Sequence, residues 1–134
     1  MVGYKKYKEN SIYSMSGLEL LLVLYDEAIS RLKKAEIALE DQNYAVFEDC
    51  LGRVSRILRY LTDILDLKQP LSTDLRRIYE YLIYDISRIQ AARERQAPEI
   101  GRISHMLSEL RSAFDEAGRI AGDNPVVQNK GILG

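Results

Sequence analysis

The sequence contains very few of the residues from which metal and catalytic sites are usually built. Among its 134 residues it has one cysteine, Cys50, and one histidine, His105. A lone cysteine excludes an internal disulfide and a paired-cysteine zinc or redox site, and a lone histidine excludes any intramolecular site that needs two imidazoles. We therefore expect a protein without a metal, a cofactor or an enzymatic reaction.

A surplus of positive charge and a long hydrophobic run are also missing. The net charge is −1, whereas a non-specific nucleic-acid binder needs surplus Lys and Arg to neutralise phosphates. The longest apolar run, residues 20–25, is far shorter than the roughly 20 residues that span a bilayer. Residues 1–16 lack the apolar stretch of a secretory signal. These absences predict a cytoplasmic protein that neither binds nucleic acid nor inserts into a membrane.

What the sequence does contain is four long segments in which apolar residues recur at helical spacing. The spacing predicts helices over about 17–40, 44–66 and 73–95, and a fourth that begins at Pro98 and stops near Gly122. In the second segment the apolar residues alternate four and three apart, which is the spacing of left-handed helix packing. These residues are Phe47, Leu51, Val54, Leu58, Leu61 and Leu65.

The predicted helix starts and connections indicate how the four helices pack. Ser16 and Glu19 have the spacing of a capping box, and Asn43 and Ser72 are candidate N-caps for the second and third helices. The predicted connections are short, and short connections make sequential helices antiparallel. We therefore expect an all-α, antiparallel up-down-up-down four-helix bundle over residues 17–122, with an N-terminal arm (1–16) and a flexible tail (123–134).

The nine tyrosines, in a chain without tryptophan, are the most informative part of the composition. Tyr25 and Tyr79 lie on core stripes, whereas other tyrosines lie beside or off the stripes of their helices. These tyrosines make the apolar face of a helix wider than one stripe. Such a helix either contacts two neighbouring helices or offers a groove to a partner segment. We predict a groove on the second and third helices that consists of Ile57, Tyr60, Leu61, Ile64, Ile78, Tyr81, Leu82 and Tyr84.

The lone histidine and cysteine have simpler interpretations. Some phosphorelay modules are helical bundles with an exposed histidine, but Glu109 lies one turn after His105 and would repel a phosphoryl group. We therefore expect His105 to be an ordinary surface residue. Cys50 directly precedes Leu51 of the second stripe and is expected to be a partly buried structural thiol.

Several motifs, in order along the chain, resemble those of the flagellar export chaperone family. The first is the arm Tyr7-Lys-Glu-Asn10-Ser-Ile12-Tyr-Ser14-Met-Ser16, followed by Leu24-Tyr25-Asp26-Glu27-Ala28. The others are Leu65-Asp66, Leu75-x-x-Ile78-Tyr79-x-Tyr81 and Leu107-x-x-Leu110-Arg111-x-Ala113-Phe114. Together they cover residues 4–121. The chain departs from the family pattern at Gly17, where proline is usual, at Phe114, where tryptophan is frequent, and in the loop 68–72.

This resemblance implies a cytoplasmic, non-enzymatic chaperone. Proteins of the family bind the disordered C-terminal segment of flagellin, prevent its premature polymerisation and present it to the flagellar type III export gate. Two alternatives stay open at this point: a histidine phosphotransfer module that uses His105, and a helical adaptor for another secreted protein. The sequence also leaves open whether the chain forms a homodimer.

The N-terminal arm supports a separate hypothesis. Tyr7 and Ile12 are apolar anchors in an otherwise polar stretch that also contains Asn10. We predict that the arm folds back over part of the groove and moves when flagellin binds. The simpler alternative is that the arm only caps the end of the bundle.

Overall fold

The computed structural model describes residues 16–92 and 97–121, and within them the chain forms four α-helices. They are α1 (Gly17–Glu40), α2 (Tyr44–Asp63), α3 (Pro70–Ala91) and α4 (Ala97–Ala121). The expected all-α bundle is confirmed. The predicted arm residues Tyr7, Asn10 and Ile12 and the predicted tail 123–134 lie outside the described residues.

The first two helices begin at the predicted caps. The Ser16 hydroxyl oxygen accepts a hydrogen bond from the Glu19 N–H at 3.1 Å, and the Asn43 side-chain oxygen accepts one from the Val46 N–H at 3.3 Å. Each bond satisfies a backbone donor that the first helical turn leaves without a partner.

The connection between α1 and α2 is a tight reversal centred on Gln42. Gln42 has a φ of 56°, in the left-handed region that glycine adopts most readily. Its N–H donates to the Leu39 carbonyl at 3.1 Å, and the Asn43 N–H donates to the Ala38 carbonyl at 2.8 Å. This pair of bonds is the Schellman motif, which ends α1 and turns the chain back along it.

The second helix ends three residues earlier than predicted. It stops at Asp63, and Ile64 and Leu65 follow it as buried residues of the connection. Asp66, predicted to be helical, instead belongs to a turn, since its carboxylate accepts a hydrogen bond from the Lys68 N–H at 3.1 Å. A side-chain bond of this kind competes with continuation of a helix.

The third helix begins and ends before its predicted limits. Pro70 occupies its first turn, where a missing N–H costs nothing, and Gln69 takes the cap position without a side-chain hydrogen bond. The prediction that Ser72 caps this helix is wrong: Ser72 is buried and its hydroxyl donates to the Asp66 carbonyl at 2.6 Å. The helix ends at Ala91, and residues 93–96 lie outside the described part of the chain.

The helices do not pack around the core with equal contact. α1 contacts both α2 and α4, and α2 also contacts α3. α3 and α4 contact each other over far fewer residues, so the bundle is loosely closed on that side. The core consists of fully buried aliphatic and aromatic side chains, including Leu21, Leu32, Phe47, Val54, Leu58, Leu82 and Ile86.

Tyr25 and Tyr79 are core residues, as predicted. Both are fully buried, and their hydroxyl oxygens are 2.5 Å apart, which joins α1 to α3 across the bundle. The ring of Tyr25 also stacks on Phe114 of α4, with the ring centroids 6.0 Å apart. Tyr25 therefore holds three helices in register.

None of the described helices is both long enough and apolar enough to cross a lipid bilayer.

Candidate binding groove between the third and fourth helices

A cluster of charged residues joins α3 to α4 near their connection. Asp85 on α3 is only 2% exposed, and its carboxylate accepts hydrogen bonds from Arg88 at 3.0 Å and from Arg102 on α4. Arg102 also donates to Glu99 at 2.7 Å. Burial by itself raises the pKa of Asp85, but the hydrogen bonds from the two guanidinium groups outweigh burial and bring that pKa below its ordinary value. Asp85 is therefore ionised at neutral pH and holds the two helices together here.

Beyond this cluster an apolar depression opens between the same two helices. It has a volume of about 260 Å³ and is lined by Ile78 of α3 and by Met106, Glu109 and Leu110 of α4. The three apolar side chains are half-buried, so each presents part of its surface to solvent. Tyr81 lies at the closed end, where the Arg102 guanidinium is 5.8 Å from the centre of its ring.

The apolar stripe of α4 is longer than the surface that covers it. Ile103 and Leu107 are fully buried, but Leu110 and Phe114, further along the same stripe, are only half-buried. Burial therefore decreases from the middle of α4 toward its C-terminus. An apolar stripe that continues past its covering helix marks a surface that is available to a partner.

The facing part of α3 shows the same decrease in burial toward the open end. Leu75 is buried in the core, whereas Leu71, in the first turn, is 48% exposed. Leu71 precedes Ile78 by seven residues, which is close to two helical turns, so both lie on one face of α3. The depression thus opens toward the N-terminus of α3 and the C-terminus of α4.

Small residues continue the depression along α4. Ala113 and Ile120 follow Met106 by seven and fourteen residues, and Ala117 follows Leu110 by seven, so these side chains share one face. Ala113 and Ala117 are both exposed. From Met106 to Ile120 this face is about 21 Å long. We call this surface the α3–α4 groove: Ile78, Met106, Glu109 and Leu110, continued by Ala113, Ala117 and Ile120.

The structure distributes the eight residues of the predicted groove over several environments. Leu61 and Leu82 are fully buried and Ile64 is nearly so, and all three pack in the core. Ile78 lines the α3–α4 groove and Tyr81 flanks it. The other three residues are partly or largely exposed: Ile57, Tyr60 and Tyr84.

Ile57 and Ile78 do not belong to one surface. Glu48 accepts a hydrogen bond from the Gln90 side chain at 3.2 Å, which shows that the Glu48 side of α2 faces α3. Ile57 follows Glu48 by nine residues, so it lies on roughly the opposite side of α2. The structure therefore brings Ile78 together with Met106 and Leu110 rather than with residues of α2.

The predicted groove did not include Met106 and Leu110. Both are apolar residues at helical spacing, and the sequence pattern does not distinguish them from residues of the core. Leu110 belongs to the core stripe of α4, and Met106 lies at the edge of that stripe. Only the small contact between α3 and α4 shows that these positions are partly uncovered. The seven-residue repeat Met106, Ala113, Ile120 is the pattern that could have suggested a second face.

The histidine lies at the surface, as predicted, whereas the cysteine is buried more deeply than predicted. Cys50 was expected to be partly buried, but it is a free thiol in the core and only 2% exposed. His105 is exposed, and its Nε2 is 2.8 Å from a carboxylate oxygen of Glu109 on the same helix. In the part of the chain that the structure describes, no three His, Cys, Asp or Glu residues come together as a metal site.

The fold and the groove define a class of protein: a helical bundle that presents an uncovered apolar face along two of its helices. Comparison with protein families shows which family of such bundles the chain belongs to. The chain matches the model of the flagellar protein FliS family over residues 1–121, and it belongs to that family. A comparison with individually curated proteins returned no match. Membership places the chain among chaperones of flagellum assembly and confirms the resemblance in its motifs.

Proposed function

We propose that this chain is the cytoplasmic export chaperone of flagellin. It binds the disordered C-terminal segment of flagellin, prevents premature polymerisation and delivers the segment to the flagellar type III export gate. The observation that carries the proposal is the α3–α4 groove, an apolar face that the bundle leaves uncovered along Leu110, Ala117 and Ile120. Membership of the FliS family supports the flagellar setting.

The dimensions of the groove suit a helical partner. A face about 21 Å long accommodates a helix of about 14 residues. The small side chains of Ala113 and Ala117 allow a second helix to approach α4 closely, and Met106, Leu110 and Ile78 provide apolar contacts at one end. A segment that folds as it binds spends part of its interaction energy on ordering, which keeps affinity moderate and favours release.

The exposed tyrosines supply further contact area if the partner wraps beyond the groove. Tyr81 lies directly beside it, whereas Tyr60 and Tyr84 lie on other faces of α2 and α3. Each presents an apolar ring with a polar tip, a combination that is frequent at protein interfaces. In this proposal the groove anchors the flagellin segment, and Ile57, Tyr60 and Tyr84 contact the rest of it.

We also propose that the N-terminal arm, with Tyr7, Asn10 and Ile12, covers part of the groove in the free chaperone. This proposal is supported by the position of the residues that directly follow the arm. Leu18, two residues after the arm, packs against Gly118 near the end of α4, where the groove is open. Deletion of residues 1–15 should then change flagellin affinity; if affinity and stability are both unchanged, the arm has no role in binding.

The decisive experiment fills the groove without disturbing the core. Ala113→Glu combined with Ala117→Glu places two long charged side chains at exposed positions on its floor. We expect binding of the last ~40 residues of the host's flagellin to fall at least tenfold, because buried unpaired charges oppose docking. Calorimetric titration measures the affinity, and circular dichroism checks that the helices are retained.

A matched control uses Ala45→Glu, an exposed alanine on α2 that lies outside the groove. This variant should bind the flagellin segment as the unmodified chain does. Unchanged binding by the double variant would place the site elsewhere on the bundle. Failure of the unmodified, folded chain to bind would refute the proposal as a whole.

A further inference from the structure

The α4 edge of the groove is acidic. Glu109 lines the groove, and Glu116 follows it by seven residues on the same edge of the helix. Both are exposed. The ionic contact of Glu109 is with His105, and Glu116 forms no ion pair with any residue that the structure describes.

The α3 edge carries an acidic residue as well. Asp74 precedes Ile78 by four residues and Tyr81 by seven, so it lies on the edge that borders the groove. It is exposed and has no ion-pair partner among residues 16–92 and 97–121. We call Asp74, Glu109 and Glu116 the groove rim.

The basic residues nearest to the groove do not neutralise this rim. Arg102, at the closed end, is already bound to Asp85 and Glu99. Arg77 is one turn from Asp74 but forms no ion pair with it among the described residues, and Arg119, one turn from Glu116, is bound to Asp115 at 3.2 Å. An occupant of the groove thus meets an apolar floor between two edges of negative charge.

We propose that the α3–α4 groove selects an amphipathic helix whose apolar stripe is flanked on both sides by Lys or Arg. The apolar parts of these long side chains would pack over the rim, and their charged ends would pair with Asp74, Glu109 and Glu116. A helix with acidic flanks meets like charges on both edges, which opposes its docking. The identification of the natural ligand as a flagellin segment rests on the proposed function, but the charge preference does not.

Two synthetic helical peptides test this preference directly on the full chain. They share the same 14-residue apolar stripe and differ only in carrying Lys or Glu at the flanking positions. With three rim charges, we expect the Lys peptide to bind at least about tenfold more tightly at low ionic strength. The difference should shrink in 0.5 M NaCl, because salt screens exposed charges over a few ångströms.

Charge reversal at the rim identifies the residues responsible. Glu109→Lys combined with Glu116→Lys should abolish or invert the preference between the two peptides. Glu40→Lys combined with Asp49→Lys changes the net charge equally at exposed positions on α1 and α2, and should leave the preference intact. An effect of equal size in this control would show a response to net charge rather than to the rim, and would overturn the inference.

The remaining outcomes separate this inference from the proposed function. Equal affinity for the two peptides, or binding of neither, overturns the inference. If flagellin still binds under those results, the proposed function stands without the charge preference. A clear Lys preference together with no flagellin binding would support the rim and refute flagellin as the ligand.

Discussion

The buried hydroxyl pair of Tyr25 and Tyr79 allows a quantitative test of how the bundle is held in register. Both side chains are fully buried, and each hydroxyl group has the other as its partner at 2.5 Å. Tyr25→Phe or Tyr79→Phe removes one hydroxyl group and leaves the other buried without that bond. We expect each single variant to lower the free energy of unfolding by about 1–3 kcal/mol, the cost of an unsatisfied buried polar group.

The double variant should be less destabilised than the sum of the singles. Replacing both partners by phenylalanine preserves the shape of the core and removes both polar groups, so the change should be no larger than about 1.5 kcal/mol. The double-mutant cycle should therefore give a coupling of about 0.5 kcal/mol or more between the two positions.

Urea unfolding followed by circular dichroism at pH 7 measures these differences, provided that the slope with denaturant stays constant. Tyr84→Phe is the matched control, because Tyr84 is 66% exposed and should change stability by less than about 0.5 kcal/mol. If the two single variants and the double variant are strictly additive, the hydroxyl groups do not stabilise each other and this account of the register is wrong.

Two further predictions concern stability. Burial raises the pKa of Tyr79 from 10.0 to about 12 and also raises the pKa of Tyr25. Unfolding restores the ordinary tyrosine pKa, so above pH 10 the unfolded state binds fewer protons than the folded state. The free energy of unfolding should therefore fall there by up to about 1.4 kcal/mol per pH unit for each tyrosine. Urea unfolding from pH 8 to 11.5 should show this fall, and the double phenylalanine variant should show a shallower one. Gln42→Gly should stabilise the chain by about 0.5–1 kcal/mol in thermal unfolding at pH 7, because glycine adopts the left-handed backbone of Gln42 without steric cost; a loss of stability would contradict this.

Local chemistry made much of the helical architecture predictable. The caps at Ser16 and Asn43 are contacts within one turn, so short sequence patterns suffice to predict them. A cap pattern covers only contacts within one turn, which explains why the prediction that Ser72 caps α3 was wrong. The Ser72 hydroxyl group donates to the Asp66 carbonyl, six residues away, and a cap pattern does not include such a bond. Pro70, with its fixed φ, is the residue that starts α3.

The sequence by itself determined four amphipathic helices, a core containing Tyr25 and Tyr79, and the motifs of a flagellar chaperone, because periodicity and short motifs are properties of single segments. Only the tertiary structure decided where the uncovered surface lies. The sequence pattern shows how wide the apolar face of a helix is, but it does not show which neighbouring helix covers that face. The small contact between α3 and α4 leaves Ile78 and Leu110 half-buried while Leu61 and Leu82 are enclosed, and that difference arises from the separation of two helices rather than from any residue within them.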